Sequence, residues 1–386
     1  MAAIKPSAGT LKGSLAVLIL LRGAAALAGV LPDDRTDVLF HSYDGGGITV
    51  HGPSVLVQKK LGKQISASAN YYVDKISSAS VDVVTTASPY TEERKQYSFG
   101  LDYLHDGWLM NLGVISSREN DYDANTLNFG MSQDFFGDLT TLSLGYSLGD
   151  DKVGRRGDAT FSDSLRRHNY RLGLSQILTR NLLLGLSFET ITDEGFLNNP
   201  YRSVRYVDAG SPRGYSFEPE VYPRTRTSDA GAVRIRYYLP YRAALHGEYR
   251  TYGDTWGIRA SSAELGYTHP LKSGWTLEGS VRVYSQDKAD FFSDIFPSAN
   301  FQNFMARDKE LATFTSRTLR VGISYNILSE GWRFLDKGSL NLTYDHINYD
   351  YQDFRDLRIT GAPAGDEPLF GFDADVIQLF VSFWMR

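Results

Sequence analysis

Charged side chains at every second position are the residues in this chain with the most capacity for chemistry. In 242–252, His246, Glu248 and Arg250 alternate with Leu245 and Tyr249. In 229–239, Arg234 and Arg236 alternate with Val233, Ile235, Tyr237 and Leu239. Successive side chains of an extended chain point to opposite faces, so each segment has one apolar face and one charged face. The same alternation puts Arg171, Glu189, Glu264, Glu278, Arg282 and Arg320 on polar faces. A hairpin through the turn Pro240-Tyr241-Arg242 opposes Arg234 to Glu248 and Arg236 to His246. Two readings of such a wall stay open. Cross-strand ion pairs can simply solvate and stiffen a polar interior, or the charges can set selectivity for a charged or polar solute.

A second set of cations lies in the longest connection, 192–228. Arg202, Arg205, Arg213, Arg224 and Arg226 are interleaved there with Tyr201, Tyr206, Tyr215 and Tyr222 and with four prolines. Long connections without regular structure are usually functional or disordered, and this composition argues for a packed loop. Folded into a mouth, it would form a constriction presenting guanidiniums to anions; folded outside, its arginines would meet lipid phosphates. The segment 286–312, with Phe291, Phe292, Phe296, Phe301 and Phe304, is another lid candidate, more in character as a self-packed loop. Catalysis finds little support. There is no cysteine, and none of the seven histidines has metal-ligand spacing to another. Asp345-His346 near Ser339 suggests a triad, but His346 shares a face with Leu340, Leu342 and Tyr344, which places it at a membrane edge. Asp44-Gly45-Gly46-Gly47 is a tight loop, not a phosphate cradle, because no helix follows it. The chain is read as a non-enzyme, with no catalytic residue, metal or cofactor.

The elements that would position these charges are strands. Mean hydropathy is −0.29, yet 13% of residues are aromatic and 36 are glycine. A membrane barrel has this profile, because its lipid and lumen faces cancel; a soluble sandwich or propeller is the competing architecture. Residues 1–28 read as a signal peptide: Lys5 and Lys12, the apolar run 15–21, then Ala26-Leu27-Ala28. Of the 40 basic and 45 acidic residues, three basic ones lie in that segment, so 29–386 holds 37 basic against 45 acidic, a formal −8. An acidic total argues against nucleic acid as a partner. The cleanest strand is 139–149, with Leu142, Leu144, Tyr146 and Leu148 on one face and Thr141, Ser143, Gly145 and Ser147 on the other. Asp106-Gly107 is a hairpin signal that opposes Tyr103 to Met110 and Leu101 to Leu112, and the faces agree. Fifteen strands are legible from Ile48 onward. Even strand numbers are the rule for bacterial barrels, so the faint 36–43 segment is counted as the sixteenth. Polar connections are expected at 77–93, 150–165 and 350–372, with 375–386 as the closing strand.

Several segments carry a resemblance. DVLFHSYDGGGITVHGPSVLVQKK, SANYYVDKISSASVDVVTTASPYTEER, FLNNPYRSVRY, SPRGYSFEPEVYPRTRTSDA and ARDKELATFTSRTL are similar to a family of Gram-negative proteins known as a domain of unknown function and expected to form an outer-membrane barrel. The resemblance covers most of 32–386. It implies location and fold, and supplies no catalytic residues. The chain departs from the usual outer-membrane ending, because Met385 stands where a terminal aromatic would be and Arg386 follows it. Together these readings predict one all-β domain over 29–386: a transmembrane, antiparallel, up-and-down barrel of 16 strands. Expected partners are outer-membrane lipid and lipopolysaccharide and the barrel assembly machinery. The leading expectation is a porin-like channel for small polar or charged solutes. The alternative is a non-conducting barrel scaffold that anchors or sheathes an envelope partner, such as a redox protein.

Overall fold

The structure, a computed structural model, describes residues 29–78, 90–328 and 331–386. The expected signal segment 1–28 and most of the 77–93 connection lie outside the described residues. Nine strands form the first half: β1 (Arg35–Gly45), β2 (Ile48–Lys60), β3 (Ile65–Ser78), β4 (Tyr90–His105), β5 (Trp108–Arg118), β6 (Tyr122–Phe135), β7 (Thr140–Arg155), β8 (Asp158–Thr179) and β9 (Leu182–Gly195). A short hairpin follows, β10 (Ser203–Val207) and β11 (Tyr215–Pro219). The second half is β12 (Thr225–Tyr238), β13 (Ala244–Asp254), β14 (Arg259–Pro270), β15 (Trp275–Gln286), β16 (Phe314–Asn326), β17 (Leu335–Arg355) and β18 (Leu369–Met385).

All but β10 and β11 join one closed antiparallel barrel of 16 strands. Each barrel strand pairs with its sequence neighbour, with β9 meeting β12 across the β10–β11 excursion. The ring closes where β1 meets β18, in the register Val38↔Val381. The faint first segment is therefore a full strand, bonded on both sides. Closure removes the unpaired edges that an open sheet would leave.

The faces sort as the alternation requires. Leu142 and Leu144 are 37% and 45% exposed, while Thr141, next to Leu142 and on the opposite face, is 6% exposed. Phe99, Leu101, Leu172, Phe188, Leu265, Val281 and Val321 are likewise exposed, all on the outer face. Leaving such side chains in water forfeits ~1.5–3 kcal/mol each, so an apolar belt on this scale is a lipid contact. Among the described residues no helix is long and apolar enough to cross a membrane; the strands cross instead. Backbone groups in lipid must bond within the protein, and a closed barrel does so. A bacterial barrel of this type is an outer-membrane protein.

Turn chemistry fixes register. Asp106 and Gly107 have φ of 46° and 80°, the pair a tight hairpin needs, and Tyr103↔Met110 and Leu101↔Leu112 pair as the turn dictates. Two expected loops prove shorter. Residues 150–165 are the ends of β7 and β8, paired through Lys152↔Ser164 and Val153↔Asp163 up to the turn at Arg156-Gly157. There the strands have left the lipid, so both faces are polar and the alternation that marks a strand disappears. β17 likewise runs on to Arg355, and the 350–372 connection reduces to 356–368. Both ends of the barrel chain, Arg35 and Met385, lie on the short-turn side. The long connections gather at the opposite mouth.

Candidate functional site

The site is the lumen together with the folded loops that close its long-loop mouth. Arg171, Glu189, Arg234, Arg236, His246, Glu248, Arg250, Glu264, Glu278, Arg282 and Arg320 all lie on the inner face, since the residue after or before each is in the exposed outer set. Register brings several together. Arg234 opposes Glu248 and Arg236 opposes His246. Arg234 and Glu248 form an ion pair. Arg171 and Arg250 reach Glu189 from two sides at 2.8 and 3.0 Å, and Asn169 donates to the same carboxylate at 2.9 Å. Arg320 donates to Asp345 through two nitrogens, each at 2.5 Å. His246 lies 3.7 Å from Glu264. Arg236 and Arg282 make no hydrogen bond or ion pair with any described residue and are exposed although they point inward. An exposed inward guanidinium means that the lumen at its level has room for water.

The wall is asymmetric. These charges lie on β8 to β16, whereas the inner faces of β3 to β7 are mostly small and polar, as in Ser66, Ser68, Asn70, Gly100, Asn111, Asn128, Gly130 and Ser143. One cluster there escaped the sequence analysis. His41 Nε2 sits 2.7 Å from Asp74 and 3.0 Å from the Tyr72 hydroxyl, and Arg94 meets the other Asp74 oxygen at 2.5 Å. Its members come from β1, β3 and β4, and only the alternation of 65–76, read with the register, could have exposed it.

The loop arginines are not free guanidiniums in an opening. Arg205 is fully buried; it donates to Glu367 at 2.6 and 3.0 Å and pairs with Asp294. Arg202 is buried against Asp308. Arg226 pairs with Asp254 at 2.5 Å and lies over the Trp256 ring at 4.4 Å. Arg224 bonds Asp163 at 2.8 Å on the surface. Arg213 is exposed in the turn between β10 and β11. Four of the five charges are thus paired, and Arg202, Arg205 and Arg226 are out of water, where a guanidinium must have a partner.

The result is a cap. The aromatic segment 286–312 packs against 192–228 through paired backbone bonds between Val221 and Met305, and through Phe296, whose N–H donates to the Arg205 carbonyl and whose carbonyl accepts from the Val207 N–H. Tyr222, Trp256, Phe291, Phe292, Phe354 and Phe370 belong to one apolar core, to which the inner-face Tyr351 also contributes. The cap therefore sits down into the mouth, not above it. Asp294 ties its own segment to 192–228 and to the end of β17: it accepts from Arg205, from Arg307 at 2.9 Å and from the Arg355 backbone at 3.1 Å. Burial alone would push the Glu367 carboxyl up, but hydrogen bonds from Arg205 and backbone N–H groups hold it below the usual carboxylate range. Burial of Tyr222 pushes its hydroxyl well up, and it stays a neutral donor to Glu220.

His346 is on the outer face, its Nδ1 2.9 Å from Asp375, which also accepts from Tyr344. No group of three or more potential metal ligands occurs among the described residues.

Solved structures match this chain at low identity and with TM-scores below 0.5. A bacterial polysaccharide outer-membrane secretin matches at 8% identity and TM-score 0.48, covering 92% of this chain and 100% of its own. A FadL homologue of Pseudomonas aeruginosa matches at 10% and 0.42, covering 100% of both chains. OpdK of Pseudomonas aeruginosa, solved with vanillate, matches at 11% and 0.42, covering 92% of this chain and 99% of its own. No curated protein sequence matches the chain. A family model described as "Protein of unknown function (DUF3570)" matches residues 80–171 and 162–335, well over half of the chain. The chain, a closed 16-strand barrel, belongs to that family.

Proposed function

We propose that this outer-membrane barrel is a porin-like channel for small polar or charged solutes, with its long-loop mouth narrowed by the folded cap. The observation that carries the reading is the exposure of Arg236 and Arg282 on the inner wall. Sixteen-stranded barrels have a bore wide enough for an aqueous path, and charged rings along such a path set selectivity. The function so read is passive and has no catalytic step. Lipid and lipopolysaccharide surround the belt, and assembly machinery would insert the chain. The test is single-channel recording in planar bilayers. Wild-type protein should give small discrete steps, and Arg205→Ala, which removes the tie between Asp294 and Glu367, should enlarge them while the barrel stays folded. A folded protein silent in both forms would remove the channel reading.

A second reading is favoured by the cap itself, whose Arg205 and Phe354 are fully buried. A mouth closed that firmly suits a non-conducting scaffold that anchors or sheathes an envelope protein, a redox protein among the candidates. It predicts no conductance together with one stoichiometric partner on purification from the native envelope.

A further inference from the structure

Directly under the cap, the barrel register lines up one inner row: Arg250, Ser262, Tyr284, Ser316, Tyr349 and Phe372, on β13 to β18. Large and small residues alternate as far as Tyr349, so each serine leaves a gap between two long side chains. Neighbouring strands are ~4.8 Å apart, which sets Tyr284 and Tyr349 about 10 Å apart at the backbone. Phe314, one inner position higher, lies against both rings, with centroids at 5.5 and 6.0 Å. Tyr349 stacks on Phe372 at 4.6 Å. One inner position lower on β15 is Arg282.

The polar capacity of this row is uneven. The Tyr284 hydroxyl donates to Gln286 at 2.7 Å, whereas the Tyr349 hydroxyl has no hydrogen-bond partner among the described residues. Arg250 is already held by Glu189 and Arg226 by Asp254. Arg282 is the cation left over. The acids nearest to it are otherwise engaged: Glu264, opposite it in register, faces His246, and Glu310, on the underside of the cap, interacts with a neighbour. The row thus offers an exposed guanidinium, a phenol donor two strands away and an aromatic shelf, and the two carboxylates that face it, Glu264 and Glu310, each have a partner already.

We infer that this row is a binding site for a small organic anion, a carboxylate with an apolar body. The carboxylate meets Arg282 and the Tyr349 hydroxyl, and the body lies on the Phe314 and Tyr349 rings. Guanidinium and carboxylate suit each other by charge and by paired donors, and an apolar shelf with few placed polar groups is the usual form of a small-molecule site. The inference deepens the channel reading by naming its solute class, and it rests on that reading for its biological sense.

The test uses three probes of one shape: butyrate, butanol and butylammonium. Saturation-transfer NMR on the folded, detergent-solubilised barrel reads binding without requiring conduction. Butyrate should bind in preference to the other two, and Arg282→Gln should weaken it about fivefold, the scale of losing one charge-assisted bond in a wet site. Tyr349→Phe should weaken it less, and Arg213→Gln, an exposed loop control, should leave it unchanged. Equal binding of all three probes, or loss of binding in the control as well, overturns the site. Bilayer recordings separate the two proposals. Arg282-dependent butyrate binding in a silent barrel keeps the site and removes the channel; conductance without any Arg282 dependence of butyrate binding or block keeps the channel and removes the site.

Discussion

Arg320 and Asp345 show what a lumen charge is worth. They face each other across β16 and β17, and the Asp345 side chain is 9% exposed. Removing one partner of a well-buried pair strands the other. Asp345→Asn should therefore destabilise the folded barrel by about 1–3 kcal/mol, read as a lower guanidinium midpoint for refolding into vesicles. Arg234 and Glu248 also pair, but both are substantially exposed in the lumen. Glu248→Gln should move that midpoint little, because water screens exposed pairs. Equal effects at the two positions would mean that the lumen is not hydrated as described.

At the scale of the element, each strand has to satisfy lipid and water on opposite sides, and β7 does so with the least ambiguity. Leu144→Arg should cost ~2–4 kcal/mol if it lies near the midplane, whereas Ser143→Arg, one residue away on the lumen side, should be tolerated. Comparing the two refolding midpoints tests the facing of the whole strand. The cap is held by a different force, buried ion pairs. Glu367 and Asp356 both sit in the 356–368 connection with carboxyls below their ordinary range, Asp356 chiefly through its hydrogen bonds with Arg358. A group whose folded pKa is depressed contributes stability above its unfolded pKa and loses it as pH falls through the folded value. With unfolded values near 4, the cap should stay closed from pH 7 to 5 and loosen below about pH 4. Limited proteolysis of 356–368 with an acid-active protease measures this; cleavage already complete at pH 6 would contradict it.

For the whole molecule the decisive contact is between the two ends of the chain. β1 has β2 on one side and β18 on the other, and without β18 both β1 and β17 would be bare edges. Deleting 375–386 should abolish the heat-modifiable folded band on gels and leave the chain aggregated, since open edges in lipid have no partner for their backbone groups. The cap depends on the ring but not the ring on the cap, because the strand ladders close without any loop residue. That independence is why Arg205→Ala is expected to open the mouth and spare the barrel.

The barrel was legible because its rules are local. Period-two alternation in 139–149, the Asp106-Gly107 turn and the even strand count each act over a few residues or by parity, and together they dictate closure and which charges turn inward. Inner-face Tyr284 and Tyr349 were accessible by the same alternation, since Tyr284 is two residues beyond Arg282; what made them a row was the register summed over six strands. The cap was not legible. Its loops have no period, and its ties span 89 residues from Arg205 to Asp294 and 162 from Arg205 to Glu367. Composition alone suggested arginines waiting for an anion. Tertiary structure decided that most of them already have one, because a cation folded out of water needs a carboxylate beside it, and which carboxylate arrives depends on how three distant loops fill one mouth.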